Sequence, residues 1–514
     1  MMERGRTGME NLKSLATAHE IVCFWDKPSD ATKDTVYEIY VNGKKACDTT
    51  KTHATIQHLT SDTDYDIRVT RKDSEETASI SCKTRVERRK RDVVKEFGAV
   101  GDGQTINTDI LQRAIDACTE EDVLYFPKGI YMSGALRLHS DMEIYLEEGA
   151  VLQGTDSLQD YAPKIKSRFE GYEMECYQSL INIGELNHKE GANCENILIY
   201  GKGSIYGGGE KLAKETAKSE AIRLKEYIEA LGDKINEYEK PETIASRARG
   251  RLINISNGRN IWIHGLKLGK APSWNVHFIY SDEIYTDDCT FYSQGIWNGD
   301  GWDPDSSTNS TIFNCSFYTE DDSVAIKSGK NPEGNVINRP TKNIRVFDCI
   351  THFGHGICMG SEMSGGIEQV KIWDCEVGPT WSGIEIKATK KRGGYVRDIE
   401  VRDVTASHIQ VHSVGYNDDG IGAPVPPVFE NCTFRNMHLL GRYLDNNAGR
   451  DEWHDCPAIH VQGFDLTGHK ARNMIFDHIE FEGIREDVME HVLLKDCENI
   501  EFSNLSQVKI NPIK

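Results

Sequence analysis

No run of apolar residues in this 514-residue chain approaches the ~20 that a membrane-spanning helix needs, and no membrane partner is expected. The opening stretch, MMERGRTGMENLKSLATAHE, lacks an apolar core of the export-signal kind, so a cytoplasmic location is expected. Basic residues are in deficit: 60 Lys and Arg against 81 Asp and Glu leave a net charge of -21. A phosphate backbone calls for the opposite balance, so nucleic acid is not expected as a partner. The same deficit disfavours a long polyanion unless positive charge is concentrated locally. The fourteen cysteines make neither CxxC pairs nor zinc-like Cys/His spacings and read as reduced interior thiols. IYGKGSIYGGGEK lacks the G-x-x-x-x-G-K-[ST] order of a phosphate loop, and DGWDPDSS lacks the ligand spacing of a calcium loop. No metal and no organic cofactor is expected.

What is present falls into two parts. Over residues 1–88, HEIVCFWDKP, TVYEIYVNGKKA, ATIQHLTSDTDYDIRVTRK and TASISCKT alternate apolar and polar residues with turn residues between them, the pattern of a small antiparallel β-sandwich. Trp25, Tyr37, Tyr40 and the spacing of Leu59, Thr63 and Tyr65 resemble a fibronectin type III domain. VERRKRD, residues 86–92, reads as a linker. Residues 94–514 carry a repeat: short β-rich stretches end in Asp or Asn followed by Cys, at Cys289, Cys315, Cys349, Cys375 and Cys432, the first four spaced 26, 34 and 26 residues apart. Strand-sized units at that period without intervening helices predict a β-solenoid. Stacked coils would place the five cysteines in one interior ladder. TDILQRAIDACTEED, residues 108–122, has apolar residues at helical spacing and predicts a helix capping the open coil end. The Ala/Glu/Lys-rich segment at about 207–250 breaks the repeat and predicts a helical insertion, a lid or wall of a substrate cavity or else a solvated hairpin.

Within the repeat, Asp300 of NGDGWDPDSS precedes Asp321 of TEDDSVAIKSG by 21 residues, about one coil. The two carboxylates are therefore expected on one surface of neighbouring coils. Successive strand residues face opposite sides, so Asp322 joins them only if the chain leaves regular strand geometry there, as in a bulge. Crowded carboxylates cannot all ionise cheaply, and one should hold a proton. A protonated acid beside ionised ones is what glycosidic cleavage requires.

NGDG, EDDSVAIKSG, FGHGI and GIEIK, in this order, with FGAVGDG at 97–103, APSWNVHF at 271–278 and GSEMSGG at 360–366, resemble the signature motifs of glycoside hydrolase family 28, the polygalacturonase family. The resemblance spans residues ~94–514. It implies an all-β chain in which a right-handed parallel β-helix follows the sandwich, and inverting hydrolysis of α-linked galacturonate in pectin. Carried over, it implies Asp321 as the general acid, Asp300 and Asp322 as activators of water, and His355 as the group holding the acid in its protonation state. Asn298, Lys327, Glu385, Lys387 and Arg392 become candidate substrate-binding residues. Trp297, Trp302 and Trp381 adjoin the motifs and could stack on sugar rings. The sandwich, the insertion and the long Asp322–His355 gap resemble the exo-acting branch, which implies removal of terminal galacturonate from acidic pectin-derived oligosaccharides.

The fourth motif departs from the family's Arg-Ile-Lys: here it is Glu385-Ile386-Lys387. An anion in place of a bidentate arginine is expected to repel a sugar carboxylate. Either a neighbouring cation among Lys327, Lys390, Lys391 and Arg392 compensates, or the sugar differs, as in rhamnogalacturonan or xylogalacturonan fragments. A polysaccharide lyase and a non-catalytic carbohydrate-binding solenoid are the remaining alternatives.

Overall fold

The computed structural model describes residues 9–445, 452–483 and 487–508. They divide into two units, one ending at Lys90 and the other beginning at Arg91. In the first, the strands Lys13–Ala16, Ile21–Phe24 and His53–Ile56 make one antiparallel sheet, and Tyr37–Val41, Lys44–Thr49, Asp64–Arg71 and Thr77–Lys83 another. Their inward positions, Cys23, Trp25, Tyr37, Ile39, Ile67 and Val69, form a shared core. The charged stretch expected to be a linker ends in a strand, Arg89–Asp92.

The second unit is a parallel β-helix. Each strand pairs in register with its counterpart one coil away, and inward positions repeat apolar residues down the stack. Along one face Leu136, Ile181, Ile253, Val276, Trp302, Val324, Ile357, Ile384, Ile409 and Ile459 are successive partners, and nearly all are fully buried. Each such side chain stabilises the fold by about 1.5–3 kcal/mol relative to exposure. Phe313, Phe347 and Trp373 stack with ring centroids 4.9 and 4.3 Å apart.

The Asp/Asn-Cys repeat marks a coil corner. Asp288, Asn314, Asp348 and Asp374 all take φ between 50 and 54°, the left-handed region that Asn and Asp enter at low cost, and the next residue turns its thiol into the core. Cys289, Cys315, Cys349 and Cys375 stack there. Cys432 does not continue this ladder. It lies within the strand Val428–Leu439, opposite Ile399 and Met474, because its preceding Asn opens a different corner.

The capping helix runs from Thr108 to Asp116, burying Leu111, Ala114 and Ile115. It stops short of the expected end because Asp122–Phe126 is already a strand of the first coil. The insertion comprises helices Gly209–Arg223, Lys225–Leu231, Gly232–Glu237 and Thr243–Ser246. No helix among the described residues is long and apolar enough to cross a membrane.

Candidate active site

The face whose inward side carries Val324, Ile357, Ile384 and Ile409 carries the chemistry on its outward side, because side chains alternate along a strand. Register then aligns two outward rows. Cys358, Glu385 and Gln410 are successive partners in one. In the other, Asp305 bridges Lys327, and Lys387 pairs with His412. The ladder slips between Tyr318 and Asp322, so that Asp322 comes opposite His355. This irregularity lets both adjacent aspartates reach the same histidine, and ligand atoms of Asp321, Asp322 and His355 lie within 4.8 Å of one another.

Asp300, Asp321, Asp322 and His355 line one cavity of about 400 Å³, with Asn298, Lys327, Glu385 and Lys387. Glycines 354 and 356 bring the coils together at His355. A Cβ on Gly354, at φ 85°, would overlap the carbonyls of Thr319 and Asp321, and one on Gly356 the carbonyl of Gly383. Their role is thus close coil approach. Gly299 is likewise needed: a Cβ there would meet the Ile296 carbonyl at 2.6 Å.

The charges are tightly paired. His355 Nδ1 lies 3.2 Å from Oδ1 of both Asp321 and Asp322. Burial alone would lower its pKa, but these two carboxylates raise it to about 10. Burial would raise Asp321, but His355, then Lys387 and Lys327, hold it well below the usual carboxylate range. Asp300 behaves oppositely: burial, only partly offset by Lys327 and reinforced by Asp303, Asp321 and Asp322, pushes it well up. Of the three acids Asp300 is thus the one whose protonated form is favoured, while Asp321 is held ionised beside a protonated His355.

Lys327 Nζ is 3.2 Å from Asp300, 3.6 Å from Asp303 and 3.7 Å from Glu362, and stands over the Trp274 ring at 4.7 Å. Lys387 Nζ is 3.2 Å from both Asp322 and Glu385. Despite burial, which disfavours their charge, these acids hold both lysines well above the usual amine range. Glu385, 7% exposed, does not stand in the cavity as an uncompensated anion. Its Oε1 is 2.7 Å from His412 Nε2, and its Oε2 also accepts from Cys358 Sγ at 3.3 Å. Although burial opposes it, Lys387 and His412 keep Glu385 well below its ordinary value. The charge expected to repel a uronate is neutralised within the wall.

Arg392 is not among the lining residues. Fully buried, it donates to the Ser361 carbonyl at 2.9 Å, Asn331 Oδ1 at 2.7 Å and the Asn417 carbonyl at 2.8 Å, and so shapes the cavity from behind. Lys391 is engaged by Glu237 and the Asp418 carbonyl. Of the basic run after the fourth motif, Arg392 and Lys391 are engaged by protein groups, and Lys390 is exposed. Of the three tryptophans, Trp381 lines the cavity, Trp302 is core, and Trp297 is covered by Lys240 and Arg249. Asn298 accepts from Arg249 Nη2 at 2.5 Å.

Several lining or supporting groups are absent from the sequence-based set: Asp303, Glu362, Cys358, His412, Glu170 and Glu239. Glu170 tops the hairpin of Ile165–Phe169 and Tyr172–Cys176 and pairs with Arg247 at 2.7 Å. Glu239 comes from the helical insertion, whose end is tied down where Glu239 N donates to Asn417 Oδ1 and Asp418 N to the Glu237 carbonyl, both at 2.9 Å. Both acids face the cavity from outside the coils.

The sequence model of glycosyl hydrolases family 28 matches residues 168–416, and residues 91–157 match that of rhamnogalacturonase A/epimerase, pectate lyase-like proteins. An exo-poly-alpha-D-galacturonosidase of Dickeya chrysanthemi is 25% identical over 95% of this chain and 88% of its own. A probable polygalacturonase of Vitis vinifera is 33% identical over 66% of this chain and 67% of its own. The solved family 28 exopolygalacturonase of Yersinia enterocolitica superposes over 98% of this chain and all of its own, with a TM-score of 0.78 at 22% identity. Asp300, Asp321, Asp322 and His355 lie within the span the first of these sequence models matches, and the chain belongs to glycosyl hydrolases family 28.

Proposed function

We propose that the chain is an inverting, exo-acting glycoside hydrolase that removes terminal α-linked galacturonate from pectin-derived oligosaccharides. The observation that carries this reading is the convergence of Asp300, Asp321, Asp322 and His355 on one cavity that Glu170 and Glu239, from outside the coils, also line. A cavity of about 400 Å³ walled by a hairpin and an insertion suits a chain end better than a polymer passing through. The exo-acting relatives from Dickeya and Yersinia support the same reading.

Asp321, at 26% the most exposed of the three acid side chains, takes a proton from the His355 imidazolium beside it and passes it to the glycosidic oxygen. On the opposite face of the sugar, Asp322, paired to Lys387, takes a proton from the attacking water, and Asp300 orients that water. The C–O bond to the leaving sugar breaks as the water oxygen bonds to the anomeric carbon, giving β-galacturonate. Such a pair works with ~6.5–9.5 Å between acid and base, room for the water, whereas ligand atoms of Asp321 and Asp322 lie within 4.8 Å of one another. Because Glu385 is neutralised by Lys387 and His412, it gives no reason to expect a different pectic sugar.

Supporting a fibronectin type III assignment for the first unit are its three-on-four strand sandwich, Trp25 against Tyr37 at 5.2 Å, and Tyr65, whose hydroxyl accepts from Thr60 N at 2.9 Å, a tyrosine corner. The four stacked thiols Cys289, Cys315, Cys349 and Cys375 remain unbridged, which supports a cytoplasmic location.

The deciding experiment is incubation with galacturonate oligomers and proton NMR of the earliest product. Monomeric β-galacturonate is expected. An unsaturated uronide absorbing in the ultraviolet, or hydrolysis undiminished in Asp321→Asn, would overturn the reading.

A further inference from the structure

The proposed substrate carries a carboxylate on every sugar, and a cavity that holds one needs a cation with donors to spare. Four basic side chains line the cavity: Lys327, His355, Lys387 and His412. Lys327 is shared by three protein carboxylates, His355 by two, and Lys387 by two. His412 differs. Its Nε2 is 2.7 Å from Glu385 Oε1, and Nδ1 has no hydrogen-bond partner among the described residues. It is part-exposed at 19%, on the strand Ile409–Ser413, opposite Lys387.

We propose that His412, anchored by Glu385, is the residue that receives the carboxylate of the terminal sugar together with Lys387, and that Glu385 is the positioning residue of this clamp. The inference rests on the galacturonate reading above. Glu385 takes up Nε2, which leaves Nδ1 as the ring atom that turns to the sugar. Glu385 fixes the ring from one carboxylate oxygen and holds Lys387 Nζ 3.2 Å from the other, so one buried acid sets the separation of the imidazole and the ammonium. Charge-assisted donors held in that way discriminate a carboxylate from an alcohol at the same carbon. The neighbours that bear on His412 are Glu385 and Lys387 from the preceding coil, His460 from the following one, with ring centroids 5.9 Å apart, and His408 on its own coil.

The test uses the full chain and two probes, galacturonate and its neutral counterpart galactose, with binding read by calorimetry and turnover by release of galacturonate from oligomers. His412→Ala is expected to weaken galacturonate at least tenfold while leaving galactose within twofold, and to raise KM with kcat within about threefold. His412→Lys should recover most of the galacturonate affinity, and Glu385→Gln should lose about threefold to tenfold. Should His412→Ala fail to fold, His412→Gln takes its place. Galacturonate bound by the variant as tightly as by the wild type overturns the clamp, and so does a parallel loss of galactose. If wild type releases no sugar yet His412→Ala still selectively loses galacturonate, the hydrolase reading falls and the clamp stands.

Discussion

Lys327 and Asp300 lie on different coils, yet ammonium and carboxylate stand 3.2 Å apart with neither side chain more than 5% exposed. Asp303 draws on the same lysine at 3.6 Å. One cation thus serves two buried acids, and burial, which Lys327 only partly offsets, raises Asp303 to about 7.

That arrangement makes Asp303 a source of pH dependence. Its folded pKa is above the unfolded value near 3.9, so the native state binds the extra proton, and the wild type loses stability as pH rises from about 4 to 7. Asp303→Asn cannot titrate. Its stability relative to wild type should therefore improve by up to about 2–4 kcal/mol between pH 4 and pH 8. Denaturant unfolding at the two pH values measures the gap, and a constant gap would count against the assignment.

His355 has the opposite consequence. With a folded pKa near 10 against about 6.5 unfolded, its pairing with Asp321 and Asp322 stabilises the fold fully below pH ~6.5 and fades as pH climbs through 10. His355→Gln should be most destabilised relative to wild type at pH 6, with the difference shrinking by pH 10. Its kcat should fall about 10²-fold or more, since the proton reserve beside Asp321 is gone.

Asp321→Asn and Asp322→Asn should each lower kcat by roughly 10²–10⁴-fold, read as reducing sugar released per enzyme. The two should differ in stability. Asp321 is part-exposed, whereas Asp322→Asn removes the 3.2 Å partner of Lys387 and should lower the unfolding midpoint more. Equal midpoints would mean that Glu385 alone satisfies Lys387.

Replacing residues 225–238 by a short Gly/Ser linker removes much of the wall that carries Glu239 into the cavity. Products of a galacturonate polymer should then shift from monomer toward mixed oligomers on anion-exchange chromatography. Monomer as the persisting sole product would place end-recognition elsewhere.

The solenoid was readable from the sequence because each coil spends the same residues at the same corner: Asp or Asn to enter the left-handed region, then a thiol to fill the core. Cys432 misled because the corner motif looks alike whether the thiol follows the turn or lies within a strand, and only register separates the two. Asp300, Asp321, Asp322 and His355 could be found by motif and spacing. Asp303 and His412 were missed although parity would have flagged them: Asp303 is the outward neighbour of the inward Trp302, and His412 stands opposite Lys387. Arg392 was misplaced because nearness in sequence to a motif does not say to which side a loop side chain turns. Glu170 and Glu239 arrive on excursions from the repeat, and no periodicity encodes where an excursion comes to rest.

Because every coil of the β-helix rests only on the coil before and the coil after it, damage travels by rungs. The strands bearing Asp300 through His412 have described coils on both sides, with at most two strands of a face between them and the last paired ones. Unravelling that starts at an end must therefore dissolve those outer turns first, and catalytic competence should be among the last properties a partly melted molecule surrenders.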